Sequence, residues 1–166
     1  MKWLRVALIV CFFALLQAGL VNALGVTSLN IKPDLLLVLL VFFAVFSTPR
    51  DAIITSFAIG FAADLIAVGL PMGPRTISFG IIGTLAAHIN SVLAVRKISH
   101  RAVAVFLCGL VAGVLCHFLT SVISHSAIPH AYVIIVGTSL YSSAISPFLF
   151  LSCDWLMRIK TNRSGR

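Results

Sequence analysis

Apolar residues run through this chain in six long stretches, separated by short segments rich in proline, glycine or charge. The stretches cover residues 6–24, 35–47, 52–70, 77–95, 102–124 and 131–153. A helix needs about 20 apolar residues to cross a bilayer core of ~30 Å, and most of these stretches meet that length. The second does not if it starts at Leu35. It reaches spanning length, over 33–47, only by taking in Pro33 and Asp34, and proline fits a first helical turn because its missing N–H costs nothing there. The connections are brief: Thr48-Pro49-Arg50, Pro71-Met72-Gly73-Pro74, residues 96–101, and a turn around Ala127-Ile128-Pro129. Proline or glycine punctuates most of them. The pattern predicts an all-α polytopic membrane protein with six transmembrane helices in one domain, 1–166, since no loop can hold a second core.

The first stretch also fits a signal peptide, because Met1-Lys2-Trp3-Leu4-Arg5 precedes it and Val21-Asn22-Ala23 offers small residues for cleavage. Its length and the interrupting Gln17 favour a retained helix.

Composition agrees with the pattern. Hydrophobic residues make up 60% of the 166 and charged residues 10%, whereas soluble domains carry nearer a quarter charged. Twelve Lys and Arg stand against four Asp, a net charge of +8. In a soluble protein that would suggest nucleic acid, but no aromatic interleaving of the basic residues supports such a groove. Orientation explains the charge better. With six spans and an inside N-terminus, the inner segments hold Lys2, Arg5, Arg50, Arg96, Lys97, Arg101, Arg158, Lys160, Arg163 and Arg166. The outer loops hold Lys32 and Arg75. This Lys/Arg bias places both termini in the cytoplasm. Cys11, Cys108, Cys116 and Cys153 all fall inside apolar stretches without CxxC spacing, and read as buried free thiols.

Asp64 stands out among the polar groups. It is the one charge in 52–70, and an aspartate near a helix centre opposes insertion by roughly 2.5–3.5 kcal/mol. In a six-span topology it lies about 9 Å below the outer end of the third helix, at a depth comparable to His117 in the fifth. An Asp64–His117 pair is one way to lower the cost. Backbone amides, hydroxyls such as Ser121, or Arg75 folding back are the alternatives. His88 and Asn90 lie deeper in the fourth stretch, where polar side chains commonly tie helices together. His125 and His130 fall at the outer surface.

Packing signals are clearer than catalytic ones. Gly109 and Gly113 form a GxxxG in the fifth stretch, and Ser139, Ser142, Ser143 and Ser146 share one face of the sixth. No HExxH, Cys/His ligand spacing, nucleophile elbow or second deep carboxylate is present in the sequence, so neither a metal site, a cofactor nor an enzyme is expected.

The ordered motifs resemble a known family. Lys32-Pro33-Asp34 followed by an apolar run, the turn at Thr48-Pro49-Arg50, Gly60-Phe-Ala-Ala-Asp64-Leu65, and Gly69 with Met72-Gly73 are similar to elements of the bacterial rod shape-determining family MreD. Short-looped spans and a Trp155-Leu-Met-Arg158 basic tail are similar too, while Pro71 and Pro74 replace a Leu-Gly segment usual at that turn. The resemblance implies a non-catalytic inner-membrane subunit of the cell-elongation machinery. It would bind the bitopic protein MreC and associate with the MreB filament system and a RodA-type glycosyltransferase with its transpeptidase. It also implies a fold related to substrate-binding subunits of energy-coupling-factor transporters. On this reading Asp64, Gly60, Gly73, Asp34 and Pro33 organise a partner-binding surface, and Arg96, Lys97 and Arg101 face anionic lipid or the filament. The rival expectation is a small-solute-binding subunit of a transporter, motivated by Asp64, His117, His88 and the serine face. Such a site needs polar groups converging at one depth.

Overall fold

In the computed structural model the described residues, 3–23, 32–67, 72–93, 98–124 and 131–157, form six α-helices. These are α1 (Trp3–Ala23), α2 (Leu35–Phe46), α3 (Pro49–Ile66), α4 (Pro74–Leu93), α5 (Ile98–Ser124) and α6 (Ala131–Met157). The six apolar stretches thus correspond to six helices, with ends set by local chemistry. α2 does not extend back over Pro33 and Asp34. Asp34 is its N-cap, in extended backbone, and its carboxylate accepts the Leu37 N–H at 3.2 Å, so the helix begins at Leu35. α3 starts earlier than residue 52, because Thr48 caps it through the Asp51 N–H and Pro49 occupies the first turn. α4 likewise opens at Pro74, α5 at Ile98, and α6 runs on to Met157.

α2 lies at the centre. Nine of its twelve residues, Leu36 through Ala44, are buried, and it packs against all five other helices. At ~1.5 Å per residue it is about 18 Å long, well short of a bilayer core. It is enclosed by protein instead, with Phe42, Phe43, Leu36 and Leu40 among the most buried side chains. Phe42 packs against Phe46 on α2 and Phe150 on α6, ring centroids 4.8 and 5.5 Å away.

Two antiparallel helix pairs flank this centre. In the first, Gly60 faces Thr76, Phe57 faces Gly80 and Ser56 faces Gly83, the register of an α3–α4 hairpin. In the second, Gly109 meets Ser139 and Gly113 meets Ile135, so α5 and α6 also run antiparallel.

The distribution of polarity is inverted relative to a water-soluble protein. Thr55, Ser56, Ser78, Thr120, Ser139, Ser142 and Ser146 are buried, while Phe61, Leu65, Leu107, Phe118, Leu140 and Phe148 are exposed. In water such apolar surface would be a liability; against hydrocarbon it is an ordinary exterior. Two helical segments, Ala102–Ile123 and Tyr132–Cys153, are long and apolar enough to cross a membrane. The four cysteines are free, but only Cys153 among them is buried. Cys108 and Cys116 are half-buried and Cys11 is exposed, because α1 turns that face outward, where an apolar thiol is as well placed against lipid as in a core.

α6 contains Pro147. A proline at this position cannot donate to the carbonyl four residues earlier, that of Ser143. The Ser146 hydroxyl donates to that carbonyl instead, at 2.8 Å, which keeps it satisfied where water is scarce.

Candidate functional site

Asp64 lies in the last turn of α3, 5% exposed, and its carboxylate is aimed at the start of α4. Oδ2 accepts from the Gly73 N–H at 3.0 Å, the Thr76 N–H at 2.9 Å and the Thr76 hydroxyl at 2.6 Å. Oδ1 accepts from the Arg75 N–H at 3.2 Å. The first N–H groups of any helix lack intrahelical acceptors and carry the positive end of its dipole. Here an aspartate from the preceding helix supplies the acceptor, in the manner of an anion bound at a helix N-terminus. Charge-assisted hydrogen bonds of this kind are roughly twice as strong as neutral ones.

Two glycines make the arrangement possible. Gly73 adopts φ +117°, a conformation that side chains disfavour, and so directs the following chain so that the N–H groups of Arg75 and Thr76 join its own at Asp64. Gly60, one turn before Asp64, touches the α4 backbone. A Cβ there would come within 2.7 Å of Thr76 Cα and 2.9 Å of the Arg75 carbonyl oxygen.

A second polar cluster holds the top of α2. The Gln17 amide of α1 donates to Asp34 Oδ1 at 3.1 Å, and its oxygen accepts the Leu36 N–H at 3.0 Å. The Asp34 N–H donates to Ser142 Oγ of α6 at 2.8 Å. Three helices therefore meet at Asp34, and the cap satisfies N–H groups of the first turn of α2 that have no intrahelical acceptor. Pro33 is buried just before it.

Between these clusters lies a cavity of about 200 Å³. α4 contributes Arg75 and Phe79 to its wall; α5 contributes Gly109, Ala112, Gly113, Cys116, His117 and Thr120. Ile134, Ile135, Thr138, Ser139 and Ser142 close it from α6, and Asp34 and Leu37 from α2. The cavity exists because α2 is short. Asp34 meets Ser142, eleven residues into α6, so the top of α2 is recessed about 16 Å below the start of α6.

The structure separates some residues that sequence depth placed together. Asp64 is hydrogen-bonded to α4 and His117 lines the cavity, with no hydrogen bond or ion pair between them among the described residues. The reason is that four donors already surround the carboxylate. Arg75 reaches Asp64 through its backbone N–H. Ser121 is half-buried, and His88 is exposed on α4 outside the cavity lining. The serine face divides its bonds. Ser142 accepts from α2, Ser143 donates to the Ala102 carbonyl of α5 at 3.0 Å, and Ser139 donates to Ile135 within α6. Gly109 and Gly113 pack internally on α6. Among the described residues no three His, Cys, Asp or Glu side chains converge. Gly69, Pro71, Arg96, Lys97, His125, His130 and Arg158 lie outside the described residues, as do the side chains of Asn90 and Arg101.

Sequence reasoning missed Gln17 and Thr76 as structural partners. A lone amide inside an apolar run and a threonine two residues after a helix-opening proline were the available signals.

Comparison with known proteins gives one family. A sequence model described as rod shape-determining protein MreD matches residues 1–160. No curated protein and no solved structure matches.

Proposed function

The chain belongs to the MreD family of rod shape-determining membrane proteins, and from that membership we propose that it is a non-catalytic scaffold of the cell-elongation machinery, holding peripheral peptidoglycan synthesis together through MreC. The observation that carries the reading is the family match over nearly the whole chain. The all-helical architecture with apolar exterior accords with it.

All six helices sit in the inner membrane, with α2 enclosed by the other five. Both termini are cytoplasmic, as the Lys/Arg asymmetry favours. The region that organises the partner surface is the α3–α4 hairpin. Gly60 and Asp64 fix its two helices at close approach, and Gly73 shapes its turn. Outward of them, Phe57, Phe61 and Leu65 of α3 and Ile77 and Ile81 of α4 are exposed. This face receives the membrane helix of MreC. Asp34 and Pro33 act one step further back, by seating α2 beneath the same pair. The basic residues at the cytoplasmic side, Arg96, Lys97 and Arg101 among them, face anionic lipid and the MreB filament system, and association with the RodA-type glycosyltransferase and its transpeptidase follows through MreC.

Copurification with MreC tests the reading. The native chain should recover MreC from solubilised membranes, and Phe61→Ala with Leu65→Ala should reduce recovery while the protein still accumulates. Depletion should round the cells. Cells that keep their shape, with no MreC recovered, would sink the proposal. A reporter active in the periplasm when fused after Arg166 would overturn the orientation.

A further inference from the structure

The cavity above α2 has a polarity that structural packing does not require. Its floor is already hydrogen-bonded: Asp34 accepts from Gln17 and Leu37, Ser142 accepts from Asp34, and Ser139 donates within its own helix. Its walls are apolar, from Leu37, Phe79, Ala112 and Ile135. At the upper end stand two nitrogen-bearing groups. Arg75 belongs to the first turn of α4, and His117 lies two turns above Gly109, the glycine that sits level with Ser139. Among the described residues neither the Arg75 guanidinium nor the His117 ring makes a hydrogen bond or ion pair, and both are half-buried. Arg75 stands at the outer end of α4, and a guanidinium fits phosphate and carboxylate in fork geometry.

We propose that this cavity binds a small amphipathic anion, its phosphate or carboxylate held by Arg75 and His117 and its alkyl part lying against Phe79, Ala112 and Ile135. The volume, about 200 Å³, is below the ~300–1,000 Å³ of sites for drug-sized ligands. It therefore suits one short apolar segment with a compact head group. Such a head and chain are offered by a water-soluble alkyl phosphate or by an anionic phospholipid that inserts one chain. Its walls come from α2, α4, α5 and α6, and probe binding is read without MreC, so its outcome is separate from that of the MreC reading.

The test uses the full-length protein in neutral detergent, titrated with octyl phosphate, and in parallel examined by native mass spectrometry with phosphatidylglycerol or phosphatidylcholine added. Saturable octyl phosphate binding, weakened roughly tenfold or more by Arg75→Gln, supports the site with a soluble ligand. Retention of phosphatidylglycerol over phosphatidylcholine, lost in Arg75→Gln, supports it with a lipid. Arg75→Gln should fold normally, since the bond to Asp64 uses the backbone N–H. Ala112→Leu fills the wall and should weaken binding without altering charge; should it fail to fold, His117→Gln takes its place. Arg50→Gln, on an exposed residue at the α2–α3 turn, should change nothing. Absence of binding to both probes, indifference to Arg75→Gln, or an equal loss in Arg50→Gln overturns the proposal.

Discussion

Gly60 on α3 and Gly109 on α5 each allow an antiparallel neighbour to approach closely, but they meet different things. A Cβ at Gly60 would run into the backbone of Thr76 and Arg75, whereas a Cβ at Gly109 would stand 3.0 Å from the Ser139 hydroxyl and 3.2 Å from its Cβ. Backbone cannot step aside without moving a helix, whereas the longer contacts at Gly109 ask Ser139 to give by only a few tenths of an ångström. The turn chemistry diverges in the same sense. α3 and α4 are locked by a carboxylate on three backbone amides and a hydroxyl, while α5 and α6, 27 residues each, are joined along their length by small-residue contacts and the Ser143 bond. The shorter pair adds a strong polar lock to a seam packed closely at Gly60, Gly80 and Gly83. Among the described residues the longer pair has no such lock, and one face of it borders the cavity.

The largest effect should come from removing the lock. Asp64→Ala leaves the amides of Gly73, Arg75 and Thr76 without their acceptor, and at about 1 kcal/mol or more each the loss reaches about 3 kcal/mol. Asp64→Asn should fall between, because its carbonyl oxygen still accepts while its amide faces donors. Equilibrium unfolding in mixed detergent measures both. Equal stability of the alanine variant and the native protein would break the contrast between the pairs.

Next in size is the glycine comparison itself. Gly60→Ala should destabilise by about 2 kcal/mol, as overpacking against rigid neighbours does. Gly109→Ala should cost under about 1 kcal/mol, since Ser139 can yield. MreC recovery sharpens the point: Gly60→Ala should lower it in proportion to displacement of α4, and Gly109→Ala should not. Reversal of the two values would mean that the α5–α6 interface is the stiff one.

Much of this was legible from residue pattern. Six apolar stretches became six helices because each was a continuous apolar run bounded by proline, glycine or charge, and Asp64 was conspicuous because a buried charge demands a partner. The partner itself was not legible. Depth along a helix is a one-dimensional coordinate, so His117 and the start of α4 were equally admissible. Which was chosen depends on the α3–α4 register, and that is fixed by Gly60, whose role appears only when Thr76 lies against it. Gln17 was hidden for a related reason: an amide in an apolar run reads as an interruption until Leu36 and Asp34 are seen beside it. α2 looked too short to span because its cap, Asp34, is a residue that spanning length required inside the helix.

The smallest predicted effect concerns α6, where polar bonds are individually weak. Ser146→Ala removes the hydroxyl that caps the Ser143 carbonyl beside Pro147, and should cost about 0.6 kcal/mol, typical of hydrogen bonds between groups within a membrane bundle. In a Pro147→Ala background residue 147 regains an N–H able to bond that same carbonyl. The Ser146→Ala penalty should then shrink toward zero, so the two substitutions are coupled and not additive. An unchanged penalty in both backgrounds would show that the Ser146 hydroxyl contributes by something other than satisfying the Ser143 carbonyl. Because this bond lies within α6, the α5–α6 contact itself should stay with Gly109, Gly113 and Ser143, in contrast to α3–α4, where the polar lock joins the two helices.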